Sequence, residues 1–180
     1  FMKHFLFCIL MYFLCIQWLG AQTQWRNFTN GETINDITTD GNYIWAGTRG
    51  GLVRINRASG YSDFYNVGNS GLPVNEITTI AVDHFGTKWI GTNSGLVKFD
   101  GLNWTTLTIS NSNLPSDRII DIYIDDADVK WLGTNGGLVK IDGSNWMVFN
   151  QSNSGLPANA ITAIALDANG ITWLGTSEGL

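Results

Sequence analysis

Three prolines, two cysteines and two histidines are all that this 180-residue chain holds of those types, and charged residues make up only 14% of it. Both cysteines, Cys8 and Cys15, fall in an apolar leader, so the chain beyond it has no thiol for a disulfide, a thiolate metal site or a nucleophile. Beyond the same leader His84 stands alone, with no second histidine to share a metal ion. A lone histidine in a turn-like "DHFG" reads as a solvated side chain rather than a base. There is no basic run either, and a formal net charge of −5 excludes the electrostatic footprint of a nucleic-acid binder. Carboxylates cluster at Asp121, Asp125, Asp126 and Asp128, but the D-x-[DN]-x-[DN]-G loop of a calcium site is missing. The sequence therefore offers no catalytic constellation, no metal site and no cofactor motif.

What is present begins with the leader. Lys3 and His4 precede an apolar run from Phe5 to Ile16, and Gly20 and Ala21 follow, the layout of a signal peptide over residues 1–21. The run is shorter than the ~20 residues of a membrane-spanning helix, an uncleaved anchor being the alternative. Its removal leaves nine basic against fifteen acidic residues, 9 − 15 = −6. No second apolar span follows, so an exported protein, periplasmic, surface-bound or secreted, is expected. A hydrophobic content of 44% is enough for a sizeable core, and 21 glycines and eight tryptophans point to many packed strands joined by tight turns.

Trp45, Trp89, Trp131 and Trp173 each open the phrase W-x-G-T-x-x-G-L: "WAGTRGGL", "WIGTNSGL", "WLGTNGGL" and "WLGTSEGL". They lie 44, 42 and 42 residues apart, and Pro73, Pro115 and Pro157 each stand 16 residues before a repeat tryptophan. A second aromatic beat falls at Trp104 and Trp146, echoed by Tyr61 and Phe64 and by Trp25 and Phe28. Such a period marks an array of supersecondary units. Within one unit, "ITTIAVD", "IIDIYID" and "ITAIALD" read as strands buried on both faces. Each ends in a D-x-x-G turn, with Asp128 standing where the glycine would be in "DDAD". "KWIGT" is then a second strand and "GLVKFD" a third, and Asp100-Gly101 and Asp142-Gly143 are hairpin signals into a fourth, "NWTTLTI" or "NWMVF".

The expected fold is all-β: a β-propeller of four-stranded antiparallel blades, of which residues 22–180 hold about three and a half. Complete repeats fall near 30–65, 74–107 and 116–149, and an incomplete one over 158–180. A parallel β-helix fits less well, because its repeats are shorter and lack two hairpin signals each. Trp25 to Phe28 reads as a lone fourth strand of the kind that closes a propeller's last blade, and the chain is expected to continue for several more repeats.

These phrases, with "GLVKFDGLNW", "GLVKIDGSNW" and "SGLPANAITAIALDANGITWLGTSEGL", resemble the two-component regulator propeller repeat over about residues 30 to 180. The first copy departs from the pattern: "TTDGNYIW" is one residue short in its first turn, and "RASGY" replaces the Asp-Gly hairpin. The resemblance implies a bacterial propeller, commonly seven-bladed, that serves as the extracytoplasmic sensor of a hybrid two-component system, often for oligosaccharides. A kinase region would follow in the full-length chain. The family also supplies secreted and surface proteins, so a surface or adhesion protein using the blades as scaffold is the alternative. A propeller enzyme such as a lyase is a third reading, disfavoured by the single histidine.

Residues identical in every copy must serve what all blades share, so recognition should sit where the copies differ. Strand alternation sends the turns between second and third strands, and the long connections between blades, to the same end of the propeller. That face would carry Arg49, Asn93, Ser94, Asn135, Ser177 and Glu178, together with connections rich in amides and hydroxyls that could bond sugar hydroxyls. Turns also favour those residue types for their own sake. On the innermost strand, Asp36, Thr79 and Asp121 occupy one equivalent position, Tyr123 replaces an alanine of the other copies, and all four are expected to face the channel.

Overall fold

The computed structural model describes residues 33–167 and 170–179. The leader and the strand expected at Trp25 to Phe28 lie outside the described residues. Fourteen strands follow, and no described residue is helical. The first blade is β1 (Ile34–Asp40), β2 (Tyr43–Thr48), β3 (Leu52–Asn56) and β4 (Ser62–Tyr65). The second is β5 (Ile77–Val82), β6 (Lys88–Thr92), β7 (Gly95–Phe99) and β8 (Trp104–Leu107). The third is β9 (Ile119–Ile124), β10 (Lys130–Thr134), β11 (Gly137–Asp142) and β12 (Asn145–Phe149). Of the fourth, β13 (Ile161–Leu166) and β14 (Thr172–Thr176) are described. Every sheet is an antiparallel meander in chain order. The first strands β1, β5, β9 and β13 adjoin one another in turn, so they form the inner wall of a propeller.

The core is a series of layers between blades rather than one central mass. Trp45, Leu52 and Leu72 of the first unit meet Ile77, Ile80, Ile90, Val97 and Phe99 of the second. Trp89, Leu96 and Leu114 meet Ile119, Ile122, Leu132, Val139 and Ile141 of the third. The third layer, around Leu138, Ile161 and Ile164, draws in Trp131, Leu156 and Leu174. Each motif letter has a part in this. The glycine two after the repeat tryptophan keeps room for the next blade and for its own inner strand: a Cβ on Gly91 would lie 3.0 Å from Ile119 Cγ2 of the third blade and 2.5 Å from Thr79 Cγ2 of the second. The threonine is buried and closes the next turn, as Thr92 Oγ1 donates to Gly95 O at 2.7 Å. Gly95 itself has φ 121°, and a Cβ there would stand 2.6 Å from Leu107 O.

The innermost strands hold a feature that period-two reasoning does not give. Their pairing slips between Ile77 and Thr79, and likewise in β1, β9 and β13, leaving one extra residue in each first strand. The bulge explains how Ile77 and Ile80, three apart in a strand, both reach the same buried layer at 0% and 3% exposure.

The hairpins follow their turn chemistry. Asp128, standing in place of glycine, takes φ 64°, matching Gly86 at 79° and Gly170 at 76°. Asp100 and Asp142 each precede a glycine of positive φ, Gly101 at 104° and Gly143 at 58°. The Asp100 carboxylate accepts the N–H groups of Leu102 and Asn103, and these bonds hold its carboxyl down to about 2. A carboxylate depressed on folding stabilises above its ordinary pKa and loses that effect as pH falls towards the folded value. Asp100→Ala is therefore expected to lower the thermal midpoint at pH 7, with the gap from wild type narrowing between pH 4 and pH 2. A gap that stays constant across that range contradicts the assignment. Gly91→Ala is expected to destabilise by about 2 kcal/mol in denaturant titration, since its new methyl must displace the second and third blades.

Candidate functional site: the loop face and the seams between blades

The turns between second and third strands are built alike. Thr48, Thr92, Thr134 and Thr176 each donate through Oγ1 to the carbonyl of the glycine three residues on. Each also accepts the N–H of the residue two on, fixing the turn from inside. Arg49, Asn93, Asn135 and Ser177 are thereby left exposed at the tips. The structure brings these turns to the end of the molecule where the first strands begin. Gly95 N–H donates to Asp117 O at 2.8 Å, tying the second blade's turn to the start of the third blade. Glu76, just before β5, lies between two tips, 4.0 Å from the Arg49 guanidinium and 3.5 Å from Asn93 Nδ2.

The amide-rich connections between blades behave differently from what their composition suggested. In the first, Asn69 Oδ1 accepts the Asn66 N–H while Asn69 Nδ2 donates to Phe64 O, and Asn75 Oδ1 accepts the Val67 N–H. Asn111 and Ser112 repeat this in the second connection, and Asn153, Ser154 and Asn159 in the third. These side chains hold their own loops in shape. Free of hydrogen-bond and ionic partners among the described residues are the side chains of Ser94, Arg118, Asn135, Ser177 and Glu178.

The inner-wall residues expected to face the channel also bond and pack across the seams. Asp36 Oδ2 accepts the Ile80 N–H at 2.7 Å and the Thr79 hydroxyl at 2.8 Å, joining the first blade to the second. Asp121 Oδ2 accepts the Ile164 N–H at 2.7 Å, joining the third to the fourth. Thr79 is 3% exposed, and Tyr123 packs on the layer of Leu138 and Ile161. The bulge is the reason, because it turns these side chains sideways onto the neighbouring blade. Burial pushes the Asp121 carboxyl up, and the charge of Asp36 adds to the rise against the two backbone N–H groups that hold it down.

A second device at the opposite end went unread in the sequence. Lys88 Nζ reaches back 2.6 Å to Asp40 Oδ2 of the preceding blade and lies 4.9 Å from the centre of the Trp45 ring. Lys130 repeats this, 3.7 Å from Asp83, 2.6 Å from Asp128 and 5.4 Å from the Trp89 ring. The signal was available as a lysine preceding Trp89 and Trp131. Burial disfavours the Asp128 charge, but its bonds from Lys130 and from the His84 N–H outweigh that and hold its carboxyl below the usual range. Trp89 Nε1 donates to Asp83 Oδ2 at 2.8 Å, and Trp131 and Trp173 do the same with Asp125 and Asp167. In the first blade the turn is one residue shorter, Asp40 binds Lys88, and the buried Trp45 Nε1 has no partner among the described residues.

An apolar cleft of about 300 Å³ lies between the third and fourth units, lined by Trp131, Leu138, Phe149, Leu156, Thr172 and Leu174. In the first seam the matching space holds Phe99 and Trp104, stacked at 4.0 Å, so the cleft is a packing position rather than a ligand pocket. No group of metal-binding side chains occurs among the described residues, and no helix there is long and apolar enough to cross a membrane.

The family model of the two component regulator propeller matches residues 155–178. The extracellular domain assigned to a hybrid two component system of B. thetaiotaomicron superimposes with a TM-score of 0.72 at 27% identity, covering 84% of this chain and 22% of that one. PorZ, a surface component of the type-IX secretion system of Porphyromonas gingivalis, gives 0.61 at 21% identity over 82% of this chain and 25% of that one. Virginiamycin B lyase of Staphylococcus aureus gives 0.64 at 14% identity over 84% and 52%. No curated protein sequence matches the chain. The described residues are thus propeller blades that resemble the two-component regulator repeat, and the chain spans about a fifth of the hybrid-system domain it matches.

Trp89→Phe is expected to cost about 1 kcal/mol more than Trp45→Phe in denaturant titration, since only Trp89 gives up a buried hydrogen bond. Equal losses would mean that the Asp83 bond contributes nothing.

Proposed function

We propose that this chain is the ligand-recognition part of an extracytoplasmic sensor, reading oligosaccharides on its loop face without performing chemistry on them. The observation that carries the reading is a division of labour among residues. Side chains repeated in every blade are consumed by packing and turn closure, whereas polar groups that differ from blade to blade gather at the turn tips of one end, Ser94, Asn135, Ser177 and Glu178 without side-chain partners among the described residues and Arg49 and Asn93 bonded to Glu76. Arg49, Asn93, Ser94, Asn135, Ser177 and Glu178 are the contacts to a glycan, which meets each blade at a different place. Likeness to the extracellular domain of a hybrid two component system supports a kinase region elsewhere in the full-length protein, and the leader over residues 1–21 supports export. A binding role is favoured over an enzymatic one because His84 is the sole histidine after the leader, and likeness to a lyase at 14% identity speaks only to fold.

The second reading, a surface protein that uses the blades as scaffold, is favoured by the likeness to a surface component of a secretion system. The full-length protein separates the two. Glycan-array binding at micromolar concentrations, with a shift in phosphorylation of its kinase region, is expected for the sensor. Failure to bind any polysaccharide overturns the sugar reading, and a full-length chain without a kinase region favours the surface protein.

A further inference from the structure

The loop face has two arginines among the described residues, and they are in different states. Arg49 lies 4.0 Å from Glu76, whose other oxygen is held at 3.5 Å by Asn93, so its charge is answered within the protein. The side chain of Arg118, exposed just before β9, has no hydrogen-bond or ionic partner among the described residues, while its backbone N–H donates to Ser116 Oγ at 3.2 Å. Its neighbour Asp117 does not answer it, because that carboxylate turns back into the connecting loop to accept the Ile109 N–H at 2.8 Å. Two turns that carry free polar side chains adjoin the backbone beside Arg118. The Gly95–Asp117 bond brings the turn that carries Ser94 next to the residue before Arg118. Asn135 stands to Arg118 as Asn93 stands to Glu76, one blade further on, since the two blades share strand register. A guanidinium beside two turns that carry a hydroxyl and an amide, each turn closed from inside by Thr92 or Thr134, is a donor set for a planar or tetrahedral oxyanion attached to a polyol.

We infer that Arg118, with Ser94 and Asn135, selects anionic oligosaccharides, its guanidinium pairing with a carboxylate or sulfate of the sugar. This rests on the loop-face reading above and narrows its ligand class. A partnerless arginine on an otherwise acidic chain gives little to a neutral glycan, but for an anionic one it is the single local charge of opposite sign.

Isothermal titration of the full-length protein tests this with three probes of equal length: oligogalacturonate, a sulfated galactan oligomer and a neutral galactan oligomer. Wild type is expected to bind one of the anionic oligomers at least tenfold more tightly than the neutral one, and the two anionic arms tell carboxylate from sulfate. Arg118→Gln should abolish that preference and its salt dependence, with the circular-dichroism melt unchanged. Arg118→Lys should keep part of it, and Arg57→Gln, on the opposite end of the first blade, all of it. Tightest binding of the neutral oligomer, or an anionic preference that survives Arg118→Gln, overturns the inference while leaving glycan recognition standing. Absence of binding to all three overturns the inference, and the array experiment then decides whether the broader reading falls with it.

Discussion

Everything in this molecule depends on how closely one blade can approach the next. The repeat tryptophan lies over the isoleucines of the following unit, and that approach is possible because the residue two positions on is glycine. A side chain at Gly47 would collide with Ile77 of the next blade, one at Gly91 would press on Ile119 of the next blade as well as on Thr78 and Thr79 of its own, and one at Gly133 would press on Ile161. The W-x-G pair is therefore one device with two halves, a large apolar plate and a missing side chain that brings the plate into contact. Dispersion falls off within fractions of an ångström, so the aromatic area contributes its full share only if the gap is closed. That is why the phrase recurs with so little variation while its surroundings drift.

Apolar layers hold sheets together but do not fix their angle, and polar ties at both ends of the seam supply what the layers lack. Near the loop end the bulged inner strand sends Asn35 Nδ2 to Ile77 O, Thr78 Oγ1 to Ile119 O, and Asp36 and Asp121 to the N–H groups of Ile80 and Ile164. At the other end Lys88 and Lys130 reach back to carboxylates of the preceding blade. Each tie is directional where the hydrophobic contact is not, so the pair sets the rotation from blade to blade. The bulge makes the first set possible, since a regular strand would point those side chains at alternate faces.

How far the sequence could be read follows from the range of each interaction. Strand order, turn positions and the unusual φ of Asp128 were legible because they depend on neighbours in the chain: an Asp-x-x-Gly turn or an Asp-Gly hairpin states its own geometry. The bulge was only half legible. Ile77 and Ile80, three apart, contradict period two, yet a continuous apolar run disguises the conflict. Ties between blades were not legible, because Asp36 and Ile80 or Lys130 and Asp83 lie about one repeat apart and nothing local marks them as partners. For the same reason the bonds that Asp36, Thr79 and Asp121 make across the seams could not be read from their inner-wall positions. On the loop face the tips, and the connections that end in Glu76 and Arg118, follow from strand alternation, but these two charged side chains do not stand out in the sequence, since only the fold shows how near the tips they lie.

The self-satisfied connections change what the loop face can be. Had their asparagines and serines been free, the face would be a soft polar surface able to meet many ligands through rearrangement. Instead Asn66, Asn69, Asn111, Asn150 and Asn153 are anchored to backbone groups within a few residues, and the turns are closed from inside by threonines that are buried in the three complete blades. Few polar groups remain, and they stand on a backbone that has already lost its freedom. Ordering such groups costs little on binding, so selectivity can come from the chemistry of a handful of tips rather than from loop rearrangement. A repeat protein gains a further latitude from this arrangement. Changing a tip residue alters neither the plate and glycine that pack the seam nor the amides that hold the loop, so the recognition surface can vary while the propeller beneath it stays the same.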